Sequence, residues 1–188
     1  MELILESPIR EGGGVLVPHE DVIRSLAEDT LINSGYLGLI GSRFKCGSYS
    51  QYAIVFLQVE KAKYETGIRW LRKLLMNTEI TIDRVKVMAK KMENSVYEMR
   101  RQGQLVVRGL MHEMLYRSGC NVHETNMLRQ QKFLASLEKQ LETDEEGVLK
   151  DLNELRSILL QRKNLMLNIA TNFEDVSQPQ KSLENFLP

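Results

Sequence analysis

Three histidines (His19, His112, His123) and two cysteines (Cys46, Cys120) are the residues of this 188-residue chain best suited to hold a metal or act as nucleophiles. A zinc helix of the form H-E-x-x-H needs two imidazoles one turn apart, so that both face one ion. His112-Glu113 begins that pattern, but Tyr116 stands where the second histidine belongs. The inverted form H-x-x-E-H needs Glu three and His four residues after the first His. His19 is followed there by Val22 and Ile23, His112 by Leu115 and Tyr116, and His123 by Asn126 and Met127. Neither motif is completed. A looser set remains, His112, Cys120 and His123, with Glu124 beside them. Cys120 and His123 have ligand-like spacing, yet the set straddles Ser118-Gly119 and has no second Cys pair. A helix-end histidine beside a buried cysteine explains the same residues more simply. The sequence assigns no catalytic or cofactor-binding residue, and His112, Cys120 and His123 stand as candidate metal ligands.

Other chemistry-bearing strings resolve the same way. Gly12-Gly13-Gly14 is followed by Val15-Leu16-Val17-Pro18, not by the Lys and Ser or Thr of a phosphate-binding loop, so it reads as a flexible turn. No Ser or Cys sits in a nucleophile-elbow or Cys-His signature. Lys90-Lys91 and Arg100-Arg101 are interleaved with Glu93 and Glu98, the pattern of a solvated helix face. The nine methionines fall mostly at helical core spacing and read as gap-fillers.

The elements that must carry these residues are set by period and punctuation. Residues 2–9 read as the end of a helix stopped at Ser7-Pro8. Pro18 reads as the first position of a short helix that uses Val22, Ile23 and Leu26 and ends near Thr30. Leu31 to Leu39 and Tyr49 to Val59 read as strands. In the second, Ala53, Val55, Leu57 and Val59 share one face and Tyr52, Ile54 and Phe56 the other, which calls for a sheet covered on both sides, or nearly so. Gly41 to Gly47, with Arg43 and Cys46, reads as the connection between them. Five helices are then predicted. The first carries Tyr64, Ile68, Leu71 and Leu75 and ends at Asn77-Thr78. The second carries Val85, Met88, Met92, Val96 and Met99. The others run over Leu105 to Arg117, over Thr125 to Leu141, and from an Asp144 N-cap through Leu159. Asn164 to Thr171 alternates as a strand does. Such segregated elements imply an α+β domain over residues 1–176, with 177–188 as a linker or tail.

Composition bounds the function. Lys plus Arg equals Asp plus Glu at 25 each, so the chain lacks the basic footprint of a phosphate-gripping domain, and no nucleic-acid partner is expected. Two cysteines make no disulfide framework and point to a reducing compartment, hence the cytoplasm. No run of 18 apolar residues is present, so no membrane partner is expected. The acidic, uncapped start suggests a chain that opens inside a helix, with a first strand missing before it.

Several strings in order resemble a known family. Leu5-Glu6-Ser7-Pro8-Ile9, Val17-Pro18 and Glu28-Asp29-Thr30 resemble the start of the third domain of pitrilysin-type zinc metallopeptidases, the family of insulin-degrading enzyme and presequence protease. Phe44-Lys45-Cys46-Gly47-Ser48-Tyr49-Ser50, Lys63 to Leu71 and Arg84-Val85-Lys86-Val87 continue the likeness, which looks nearest to a fungal and animal branch close to presequence protease. Leu183 departs from it, standing where a Trp is expected before Phe186-Leu187.

The resemblance implies an α+β fold of helices on a mixed, largely antiparallel sheet, incomplete at the N-terminus. It further implies a zinc-dependent peptidase as parent, of which this is a metal-free later domain that helps wall the substrate chamber. No zinc ligand or catalytic Glu carries over, so this chain alone is expected to be inactive, without a cofactor of its own and with zinc held elsewhere in the parent. The expected partners are the remaining domains of that parent and, through its chamber, peptide substrate. A presequence on the parent would move it to mitochondria. The competing readings are a stand-alone helix-rich interaction module, a degenerate homologue without peptidase activity, and a small independent metal site at His112, Cys120 and His123.

Overall fold

A computed structural model of the chain describes residues 2–38, 51–172, 174, 176, 183 and 186. The class is α+β, as the segregated order of elements implies. The described residues form two compact units, one drawn from 36–54 and 82–148, the other from 2–35, 55–81 and 149–188.

The second-mentioned unit is built around two apolar clusters. Helix α1 (Glu2–Leu5) gives way at Ser7-Pro8 to β1 (Ile9–Arg10), which pairs antiparallel with β2 (Leu16–Val17), Ile9 opposite Val17 and Arg10 opposite Leu16. The connecting loop needs backbone with positive φ, and Gly13 (94°) and Gly14 (84°) supply it at no steric cost. Helix α2 (His19–Asp29) then buries Val22 and Leu26. These join Leu5, Ile9, Trp70 and Leu74 in the first cluster, with Ile4, Val17, Val55 and Leu57 against it. A 3₁₀ turn at Lys61–Lys63 leads into α3 (Tyr64–Arg72). Its Trp70 side serves that cluster, while Tyr64 and Ile68 form the second with Val176 and Phe186, flanked by Leu71, Leu75, Ile169 and Leu183. Helix α3 runs on into a π-helical turn, Lys73–Asn77.

The other unit is a helical layer. Helix α4 (Ile82–Arg100) packs on α7 (Met127–Thr143), and α5 (Gly103–Leu115) meets both α7 and the short α6 (Asn121–Glu124). Val85, Met88 and Val96 are the buried residues of α4, and Met127, Leu134 and Leu141 are those of α7. Asp144 caps α8 (Glu145–Leu159), its Oδ1 accepting the Gly147 N–H at 2.9 Å.

Strands β3 (Ile32–Leu37) and β4 (Ala53–Gln58) form a second two-stranded sheet, in the antiparallel sense. Leu31 N–H bonds to Gln58 O at 2.7 Å at one end, and Gly38 N–H to Tyr52 O at 2.8 Å at the other.

Four readings of the sequence are corrected. Pro18 is the N-cap of α2, not its first helical residue: its ψ of 151° is extended while its carbonyl already accepts the Val22 N–H. The second face of β4 is only partly covered: Ile54 is half-buried, but Tyr52 and Phe56 stay exposed. Residues 165–170 form no strand; they alternate, but a strand exists only where another backbone pairs with it. Most methionines are not core: among those described only Met88 and Met127 are buried, and Met92, Met99, Met111, Met114 and Met166 are exposed. The Gly41-to-Gly47 connection, with Arg43 and Cys46, lies outside the described residues.

Candidate functional site

The candidate ligands lie where α5, α6 and α7 meet. Gly119, at φ 85°, turns the chain after α5 and lets α6 start at once, which buries Val122 and His123. His123 is only 5% exposed. Its Nδ1 lies 2.9 Å from Glu124 Oε1, and its Nε2 3.8 Å from Glu113 Oε1. Each ring nitrogen thus faces a carboxylate.

Those carboxylates are themselves held. Arg129 donates to Glu113 through Nε (3.0 Å) and Nη2 (2.8 Å), a two-pronged pair that keeps the Glu113 carboxyl below the usual range. Glu124 accepts the Gly119 backbone N–H at 3.0 Å, and that bond, ahead of the one to His123, lowers its pKa. Asn126 ties the helices together. Its Oδ1 caps α7 by accepting the Leu128 N–H at 3.0 Å, while its Nδ2 donates to Gly109 O of α5 at 2.7 Å and to Glu113 Oε2 at 3.3 Å. Gly109 suits this approach, because a Cβ there would stand tight, 3.3 Å from Asn126 Oδ1 and 3.4 Å from Met127 Cγ.

His112 and Cys120 do not join His123. The His112 ring sits edge-on to Tyr116, centroids 5.3 Å apart, and burial, followed by the charge of Arg108, lowers its pKa. Cys120 is a partly buried free thiol on an open hollow of about 440 Å³ lined by Gln51 and residues 115–120. Among the described residues no three His, Cys, Asp or Glu side chains are grouped to hold a metal ion. The arrangement is a helix-junction clasp of charge-assisted hydrogen bonds.

A second, larger hollow, about 570 Å³, was not foreseen from the sequence. It is lined by Arg10, Glu11, Asn77, Thr78, Glu79 and Arg156 among others, at the end of the π turn. Its charges answer one another: Arg10 Nε donates to Glu79 at 2.9 Å, and Lys73 to Glu11 at 2.6 Å. The Arg156 guanidinium donates to Leu75 O, at 3.2 and 2.8 Å, and to Thr78 O. Arginine here closes off the π turn's carbonyls and is not aimed at a ligand. Only the rarity of π turns outside functional or strained positions would have singled it out, and a π turn has no sequence signature. Among the described residues, no helix is long and apolar enough to cross a membrane.

No protein-family model matches the chain, and no solved structure matches it. Among curated proteins it is 22% identical, over 179 residues and 92% of its length, to an uncharacterized protein of Schizosaccharomyces pombe. It is also 30% identical, over 97 residues and 52% of its length, to "Presequence protease 1, chloroplastic/mitochondrial" of Arabidopsis thaliana. The chain spans 17% of the first and 9% of the second. Its likeness to a presequence protease is therefore partial, and neither relative is matched over more than a small part of its own length.

Proposed function

We propose that the chain is a metal-free domain of a pitrilysin-type zinc metallopeptidase, the third of four, forming part of the wall of the peptide-cutting chamber and doing no chemistry itself. The observation that carries this reading is the 97-residue likeness to a presequence protease. The clasp at His123 is compatible with it, because its groups are occupied with joining helices. In this reading zinc and the catalytic Glu belong to an earlier domain, the remaining domains are the chain's partners, and peptide reaches it through the chamber. The parent works in the cytoplasm, or in mitochondria where a presequence precedes it. The alternatives are a stand-alone interaction module and a degenerate homologue without peptidase activity.

Two measurements test the proposal. The purified chain should hold no stoichiometric zinc and cleave no unstructured peptide; zinc retained one to one and lost in His123→Ala would overturn it. A longer polypeptide from the same reading frame should carry H-x-x-E-H upstream and cleave peptides until chelated. Its absence leaves the interaction module, and its presence without cleavage the degenerate homologue.

A further inference from the structure

Helix α5 presents its apolar stripe outward. Val107, Leu110, Met111, Met114 and Leu115 recur at i, i+3, i+4, i+7 and i+8, the spacing of one helix face. In an ordinary surface helix that face is buried. Here Met114 is 84% and Leu115 72% exposed, and the other three are half exposed or more. The helix instead packs through Gly109, which lies against Asn126 and Met127. The stripe contains no charged residue, and its charged neighbours are engaged in part at the junction, Glu113 with Arg129. These five side chains expose on the order of 500 Å² of apolar surface, at the upper end of the largest patches that single soluble chains carry.

We infer that this face is covered by another domain of the same, longer polypeptide, through an apolar surface without charge at its centre. The inference rests on the metallopeptidase reading above and adds to it the surface by which the domain is held. Two observations select this occupant. The Schizosaccharomyces pombe protein is matched over 92% of this chain, yet the chain spans only 17% of it, so in that relative the counterpart of this chain is embedded in a polypeptide about six times as long. Area points the same way. Two copies paired through α5 would bury about 1,000 Å² in total, short of the roughly 1,600 Å² of a standard interface between separate proteins. The same area lies well within the roughly 600–1,500 Å² of contacts between domains of one chain. There the linker has already brought the surfaces together, and a smaller area suffices.

Met111 and Met114 report the contact directly, because hydrogen peroxide transfers an oxygen atom to an exposed thioether and leaves water. The 188-residue chain and the longer polypeptide from its reading frame are treated with equal peroxide beside a free methionine standard, and each methionine is quantified by peptide mass spectrometry. Met88, buried in α4, reports folding in each sample. In the longer polypeptide Met111 and Met114 should oxidise at least about tenfold more slowly than the standard, and in the short chain within a few-fold of it. Oxidation near the standard's rate in a longer polypeptide whose Met88 is protected overturns the inference. So does protection in the short chain that grows with its concentration, which would assign the face to a second copy. The readout does not depend on catalysis: an inactive longer polypeptide refutes the peptidase reading while the footprint still decides whether the face is covered.

Discussion

Asn126 separates a local account of helix stability from one based on the junction. Judged as an N-cap alone, Asn126→Asp should be neutral, since Asp caps as well as Asn and its charge favours a helix N-terminus. The junction predicts otherwise. The amide nitrogen donates to the buried Gly109 carbonyl at 2.7 Å and to Glu113 Oε2 at 3.3 Å, and a carboxylate can do neither. Asn126→Ala loses the cap, worth about 1 kcal/mol, and the buried bond that its amide adds to a Gly109 carbonyl already paired within α5, about 1 kcal/mol more, so about 2 kcal/mol in all. Asn126→Asp keeps the cap but sets an oxygen against that carbonyl and against a Glu113 that Arg129 holds ionised. It should therefore cost at least as much as Asn126→Ala at neutral pH. Burial and repulsion raise the introduced carboxyl's pKa, so part of the loss should return as pH falls and the group regains a proton to donate. Urea unfolding followed by far-UV circular dichroism, at neutral pH and near pH 5, measures both. An Asn126→Asp protein within about 0.5 kcal/mol of the parent at neutral pH, beside an Asn126→Ala protein that loses several times that, would refute the reasoning.

Three further outcomes are expected. Leu74→Ala, at a fully buried position of the first cluster, should cost about 2–5 kcal/mol in chemical denaturation; a loss below 1 kcal/mol would mean that the cluster is not a packed core. Asp29 accepts from Trp70 Nε1 at 2.9 Å and Lys63 Nζ at 3.1 Å, which lowers its pKa, the Trp70 bond first. Its stabilising contribution is thus complete above the usual aspartate range and lost as pH falls through the lowered value. Denaturation followed by the fluorescence of Trp70, the chain's one tryptophan, should show this acid dependence weakened in Asp29→Asn; an unchanged slope would exclude it. Gly119→Ala, at φ 85°, should cost about 1–2 kcal/mol in thermal unfolding, because its backbone is left-handed; no change in Tm would show that the turn relaxes.

Where one period and one partner fixed an element, the sequence was enough to find it. The Tyr64, Ile68, Leu71, Leu75 stripe forms one side of α3 and packs in a single cluster, and Asp144 caps α8. Sequence reading failed where an element depends on distant backbone. Residues 165–170 alternate as β4 does, yet only β4 has a paired neighbour. The four-residue α6 is too short to show a period, and it is set by Gly119 and the Asn126 junction. Apolar spacing also does not say which way a face points. The α5 stripe reads as core on a helical wheel, and only the packing at Gly109 shows that it faces outward. For the candidate site, the spacing of Cys120 and His123 was visible, but the carboxylates that engage His123 come from two helices and could not be paired from sequence.

The π turn at Lys73–Asn77 ties chain length to side-chain identity. A π turn holds one residue more than the α-helix it interrupts, and here the carbonyl of Leu75 is met by Arg156 from 81 positions away. Deleting one residue in this turn would restore α-helical spacing, rotate the residues after it by about 100°, and leave that half-buried guanidinium without its acceptors. The extra residue and the arginine should therefore occur together among relatives. Relatives that lack the arginine should be shorter by one residue here, and aligning them without a gap would misassign the face of every position up to Thr78.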